Sequence, residues 1–217
     1  MSITNVTSAL EVLEGRYGEV ATFLSHKNEF ELLVAVILSA QATDVLVNKV
    51  TPKLFERFAS VEELADASYE EVAEIIRQVN YYKNKAKYIV ETARVVRDNY
   101  QGKVPERMED LVKLPGVGRK VANVILAESF GLQEGVVVDT HVKRVAFRLG
   151  WTENLLPEKV ERDLIDLLPE QRRKNTAKQL ILIGREYCYA GREPDCKHCP
   201  LNRLCPKKGV QGGNYVA

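Results

Sequence analysis

Residues 114–126 read LPGVGRKVANVIL. Gly116 and Gly118 stand between two apolar stretches, where they permit positive φ angles and close approach of the backbone to another molecule. The segment is not a Walker A loop, because GxxxxGK[ST] is not met. Nor is it GxGxxG, since Val121 holds the last glycine position and no strand precedes it. What remains is a tight turn that opens a helix. The backbone N–H groups of Gly116, Val117, Gly118 and Arg119 would point outward there and suit one phosphate of a nucleic-acid backbone. A plain helix–helix turn is the competing reading.

Outward from this turn, nearly every segment reads as helix. Phe30, Leu33, Val34, Ile37 and Leu38 form one apolar stripe at helical spacing. Asn28 with Glu31, Ser60 with Glu63, and Ser68 with Glu71 are helix-start signals. A longer helix is expected over 84–100, with Gly102 as its C′ residue. Others are expected over 118–130, 139–149, 157–168 and 174–187. Val136 to Val138 is the one β-like run, and three residues cannot found a sheet. The fold class is therefore all-α. The glycine-bearing tail after Cys205, with Gly209, Gly212 and Gly213, is expected to be loose.

A chain of 217 residues makes one large domain or two small ones. No apolar run reaches the ~20 residues that cross a bilayer. A formal net charge of +1 neither favours nor excludes nucleic acid, so a DNA-binding face would need segregated charge. Basic stretches exist at Lys83, Lys85, Lys87 and Arg94; at Arg172, Arg173, Lys174 and Lys178; and at Arg203, Lys207 and Lys208. Taken alone, they read as solvated helix faces.

All four cysteines, Cys188, Cys196, Cys199 and Cys205, lie near the C-terminus in the pattern C-x7-C-x2-C-x5-C. Two disulfides there would brace only a short tail. The mixed, polar segment Met1 to Gly18 gives no sign of an oxidising compartment. Convergence on a metal centre is the better reading. Zinc remains open, but a single CxxC with long, unequal gaps favours four thiolates around a [4Fe–4S] cluster. His198 lies inside the CxxC and is expected to point away from the centre.

Two further residues carry chemistry. Lys120 falls in the first turn after the glycines, where the helix dipole is positive. Nearby positive charge and burial both favour a neutral, nucleophilic amine. With a reference pKa near ~10.4, an untuned lysine is almost wholly protonated at neutral pH. Asp139 follows an apolar run and precedes a helix, so it is expected as an N-cap. A carboxylate fixed by helix N–H groups stays ionised and can stabilise positive charge opposite it.

Together these motifs resemble the endonuclease III family of DNA repair glycosylases. LPGVGRKVANVIL (114–126) is similar to that family's helix-hairpin-helix. VDTHVKRV (138–145) is similar to its catalytic aspartate segment, and FELLVAVILSAQATDVLVNK (30–49) to its early helix and damage-facing loop. The cysteines resemble its [4Fe–4S] site. The resemblance covers nearly the whole chain in order. It implies two helical domains with a DNA-binding cleft between them. One is a six-helix barrel over residues 22–132; the other joins 1–21 to 133–217 and carries the cluster.

The resemblance also implies an activity, bifunctional DNA glycosylase and abasic-site lyase on oxidised pyrimidines. Lys120 and Asp139 would be catalytic; related adenine glycosylases lack a lysine at the position of Lys120. Gln41 and Tyr81 would fill the space left by a flipped nucleotide, and Asp44 and His141 would line the base pocket. The implied partner is double-stranded DNA with damaged or missing bases, bound by a monomer in a bacterial or archaeal cytoplasm, at the nucleoid, with no membrane. Other readings are a monofunctional mismatch or alkylated-base glycosylase, and a non-catalytic DNA-binding module. Three departures from the family pattern stand out. The first cysteine gap is x7 where the family usually has x6. Glu193 and Asp195 make the loop after Cys188 less basic. Asn80-Tyr81 stands where the family often has Gly-Leu.

Overall fold

The computed structural model of the chain describes residues 3–132 and 135–210. The expectations placed on Gly212 and Gly213 lie outside the described residues. Every regular element among the described residues is α-helical. In chain order they are α1 (Ile3–Tyr17), α2 (Glu29–Ser39), α3 (Asp44–Arg57), α4 (Val61–Asp66) and α5 (Tyr69–Ile75). Then follow α6 (Tyr82–Tyr100), α7 (Met108–Leu111), α8 (Arg119–Ser129), α9 (Thr140–Arg148), α10 (Pro157–Leu167) and α11 (Glu170–Glu186). Residues 136–138 form no strand; Val136 and Val138 are buried in an irregular segment that leads into α9.

The chain divides into two compact units, Thr22–Leu132 and Met1–Ala21 with Gln133–Ala217. The first unit is built around α2. All its residues from Glu31 to Leu38 are buried, so the helix is enclosed on every side rather than along the one stripe read from its sequence. It packs against α3, α6 and α8, and Phe30 is only partly buried at the edge of that core. Its start follows the local signal: Asn28 Oδ1 accepts the Glu31 amide at 2.9 Å. Ser60 and Ser68 do the same for the amides of Glu63 and Glu71, both at 3.2 Å. Such caps are each worth about 1 kcal/mol. The reciprocal arm lies one residue earlier than in a capping box. Glu31 and Glu63 accept from the amides of Lys27 and Ala59, each at 2.8 Å.

Two cations that the sequence places on solvated faces are inside. Lys178 of α11 is buried. Lys85 of α6 is only 4% exposed. Its ammonium donates to the carbonyls of Leu38 at 2.8 Å and Ala40 at 2.5 Å. Those are the last carbonyls of α2, which no intrahelical amide can reach and where the dipole favours a cation. Burial lowers the Lys85 pKa from its ordinary value.

The second unit holds α1, α9, α10 and α11. α11 packs on α9, α1 and α10. The turn after α1 is pinned by α11 side chains: Asn175 and Gln179 donate to the Gly18 carbonyl at 2.9 and 2.8 Å, and Asn175 Oδ1 accepts the Val20 amide at 2.8 Å. α9 turns Arg144 and Arg148 inward. This unit carries the four cysteines, the first unit the glycine hairpin.

Candidate functional site

The hairpin consists of α7, a turn through Pro115 to Gly118, and α8. Gly116 has φ +77, and a Cβ there would lie 3.0 Å from the Cβ of Tyr88 on α6. Glycine is therefore required both by conformation and by space. Thr92, fully buried on the same helix, donates its hydroxyl to the Pro115 carbonyl at 2.8 Å. Val117 is buried, and its amide donates to the Leu114 carbonyl at 3.1 Å. Gly118 caps α8 without a side chain. Gly116, Gly118, Arg119 and Lys120 are exposed. The turn is thus anchored from below, and its outer face carries a helix N-terminus with the basic side chains of Arg119 and Lys120. Lys120 is not buried by its own unit, contrary to the burial that the sequence reading invokes. It sits exposed in the first turn of α8.

Asp139 is the N-cap of α9, and its Oδ1 accepts the Val142 amide at 2.8 Å. The cap fixes the carboxylate at the helix entrance. His141, the second residue of α9, is half-buried. A Cβ on Gly184 of α11 would lie 2.8 Å from its Cβ and Nδ1, so only glycine lets α11 pass. Arg144 Nη2 stands 3.1 Å from His141 Nδ1. A guanidinium only donates, so this contact favours an unprotonated Nδ1. Burial also lowers the His141 pKa, partly offset by Asp139. His141 is thus a packed residue rather than a free helix-surface one. Arg144 further donates to the carbonyls of Gly184 and Cys188, at 3.1 and 2.8 Å.

In the first unit, Gln41 and Tyr81 share one conformation. Both have positive φ, 55 and 59, which few non-glycine residues adopt. Both are exposed, Tyr81 by 63%. Asp44 is partly buried at the first position of α3, next to the Thr43 cap.

All four cysteines are free thiols and line one cavity of about 30 Å³. Its other walls include Val145, Leu149, Ile183 and Leu201. Among the described residues, no three Cys, His, Asp or Glu side chains converge closely enough to hold a single metal ion. Four sulfurs lining one cavity suit a centre held by several thiolates. The sulfurs also meet donors suited to thiolates. Arg148, 1% exposed, places Nη1 3.2 Å from Cys188 Sγ, and the Lys207 amide lies 3.3 Å from Cys205 Sγ. Burial pushes the Cys199 thiol up to about 11 and raises Cys196 and Cys205 as well. A cationic centre is what would bring such thiols to the thiolate form. His198 is exposed and does not line the thiol cavity, though it pairs at 2.9 Å with Asp195, which does. In the loop after Cys188, Arg192 stacks on the Tyr189 ring, 3.7 Å from its centroid.

The sequence reading missed the two buried arginines of α9, and also Lys85 and Thr92. Only the helical period carries a signal for them: Arg144 and Arg148 lie four apart, in register with inward-facing Val145 and Leu149.

Comparison with known proteins follows the same lines. Residues 34–170 match the model of the HhH-GPD superfamily base excision DNA repair proteins. An endonuclease III of Synechocystis sp. is 45% identical over 200 residues, 92% of this chain and 91% of that one. An endonuclease III of Bacillus subtilis is 39% identical over 208 residues, 94% and 93% of the two chains. A solved structure of a trapped endonuclease III–DNA covalent intermediate superposes with a TM-score of 0.88 at 38% identity, covering 95% of this chain and 97% of that one.

The two hairpin glycines should respond differently to substitution. Gly116→Ala, forced into a left-handed conformation against Tyr88, should lose at least ~1–2 kcal/mol in urea unfolding. Gly118→Ala, with φ −90 and open space, should lose less than ~1 kcal/mol. Equal losses would contradict the close approach to α6. The glycine hairpin, the capped aspartate, the four-thiol cavity and the matches across most of the chain agree, and the chain belongs to the endonuclease III family of HhH-GPD base excision DNA repair proteins.

Proposed function

We propose that this chain is a bifunctional DNA glycosylase and abasic-site lyase that removes oxidised pyrimidines and cuts the strand by β-elimination. The observation that carries the reading is Lys120 on the open edge of a hairpin whose backbone suits phosphate. The relative captured as a covalent intermediate with DNA supports a covalent route.

The target nucleotide leaves the duplex so that its sugar can be reached. Amides around Gly116 and Gly118 hold a phosphate. Gln41 and Tyr81 occupy the vacated space. Lys120 Nζ, once deprotonated, bonds to C1′ while the bond from C1′ to the base breaks and the base departs with a proton. Asp139 stabilises positive charge at the sugar and assists proton movement. Ring opening gives an imine between Nζ and C1′, which acidifies C2′. Loss of a C2′ proton then expels the 3′ phosphate, and water releases the lysine. Lys120 is exposed in the free protein, open to the approach of an abasic sugar.

In this reading residues 22–132 are the helix-hairpin-helix barrel domain, and 1–21 with 133–217 the iron–sulfur domain. Cys188, Cys196, Cys199 and Cys205 would hold a [4Fe–4S] cluster that organises the C-terminal loop and takes no part in bond breaking. Asp44 and His141 are read as pocket residues. The protein works as a monomer on damaged duplex DNA in the cytoplasm, at the nucleoid. Among the described residues no helix is long and apolar enough to cross a membrane.

Borohydride should trap the wild-type protein on abasic-site duplex, and Lys120→Gln should abolish the adduct; trapping that survives would move the nucleophile elsewhere. Asp139→Asn keeps an equally good cap. It should melt like wild type yet lose ~10²–10⁴-fold in single-turnover base release; loss of stability with unchanged release would make Asp139 a cap only. The purified protein should be brown with broad visible absorbance, and Cys196→Ala should lose that absorbance; colourless wild-type protein with bound zinc would overturn the cluster.

A further inference from the structure

Gln41 and Tyr81 lie on different elements, forty positions apart in sequence, yet the structure joins them. Asn80, exposed and adjacent to Tyr81, donates Nδ2 to the main-chain carbonyl of Gln41 at 2.8 Å. One residue back, the Ala40 carbonyl receives the buried ammonium of Lys85. Lys85 is in turn the first residue tied back within α6, its amide donating to the Tyr81 carbonyl at 3.0 Å. The two segments therefore form a closed circuit: Tyr81 to Lys85 along α6, Lys85 to Ala40, Gln41 to Asn80. Inside it, the two exposed side chains spring from backbone in the left-handed region.

We propose that Asn80 and Lys85 are positioning residues that join Gln41 and Tyr81 into one prearranged, two-sided filler of the duplex stack. The inference rests on the reading of Gln41 and Tyr81 as the filling residues. The reason is entropic. Two independent loops would each lose conformational freedom on entering DNA, whereas a circuit closed in the free protein has already lost it. Asn80 is the link that can be tested, because its side chain is exposed and its removal leaves the core untouched. Lys85 is unsuitable for that purpose, since its loss would strip the buried Leu38 carbonyl, and the Ala40 carbonyl beside it, of their donor.

The experiment is a double-mutant cycle on the full chain. Binding is measured by fluorescence anisotropy to a duplex carrying one tetrahydrofuran abasic analogue, at fixed salt. Asn80→Ala should weaken binding about three- to tenfold, the size of one hydrogen bond. In a Gln41→Ala Tyr81→Ala background the same change should cost nothing further, because there is no longer a filler to position. An equal loss in both backgrounds would overturn the inference by showing that Asn80 acts on DNA itself. No loss from Asn80→Ala, while Gln41→Ala Tyr81→Ala binds weakly, would sink the positioning role and leave the filler reading standing. Undiminished binding by Gln41→Ala Tyr81→Ala would remove both together.

Discussion

One face of α6 holds the first unit's working loops in place. Lys85 and Thr92 are seven residues apart, two turns of helix or about 10 Å. Each sends a buried polar group across to a main-chain carbonyl: Lys85 to the end of α2, Thr92 to Pro115 in the hairpin. Tyr88, between them, packs against Gly116. The apolar residues Ala86, Ile89, Val90, Ala93 and Val96 bury α6 in the core and so fix where those donors point. Buried donors matched to orphan carbonyls are costly to break, which makes the loops rigid where side chains face outward.

The second unit uses arginine for the same purpose. Arg144 ties the start of α9, and with it the Asp139 cap, to carbonyls of Gly184 and Cys188. Arg148 reaches the Cys188 sulfur and the Tyr189 carbonyl. Both sit on one short helix whose N-terminus presents the carboxylate. The thiol cavity and the carboxylate thus share a support, whose guanidiniums reach carbonyls, sulfur and imidazole.

Much of this was legible because local chemistry and final structure agree. Asn28, Ser60, Ser68 and Asp139 each cap the helix that their spacing announces, and Gly102, Gly131 and Gly150 all take positive φ just past a helix end. The motifs around Lys120, Asp139 and the cysteines stand on a hairpin turn, a helix entrance and a C-terminal loop, where side-chain type and backbone need coincide. Other elements stayed hidden. α3 carries Pro52 inside, which breaks a helical pattern that tertiary packing overrides. α11 begins at Glu170, four residues before the expected start, behind a proline that offers no side-chain cap. Lys85 is illegible for a different reason: between Lys83 and Lys87 it reads as one of a basic run, and only its partner carbonyls, far away in sequence, explain its burial.

The proposed activity requires that one amine at the mouth of the hairpin become covalently joined to deoxyribose. Mass spectrometry of the protease-digested, borohydride-reduced adduct tests it most directly. The sugar mass should appear on the peptide containing Lys120 and on no other. A modified peptide elsewhere, or an adduct carried by the chain's amino terminus, would contradict it.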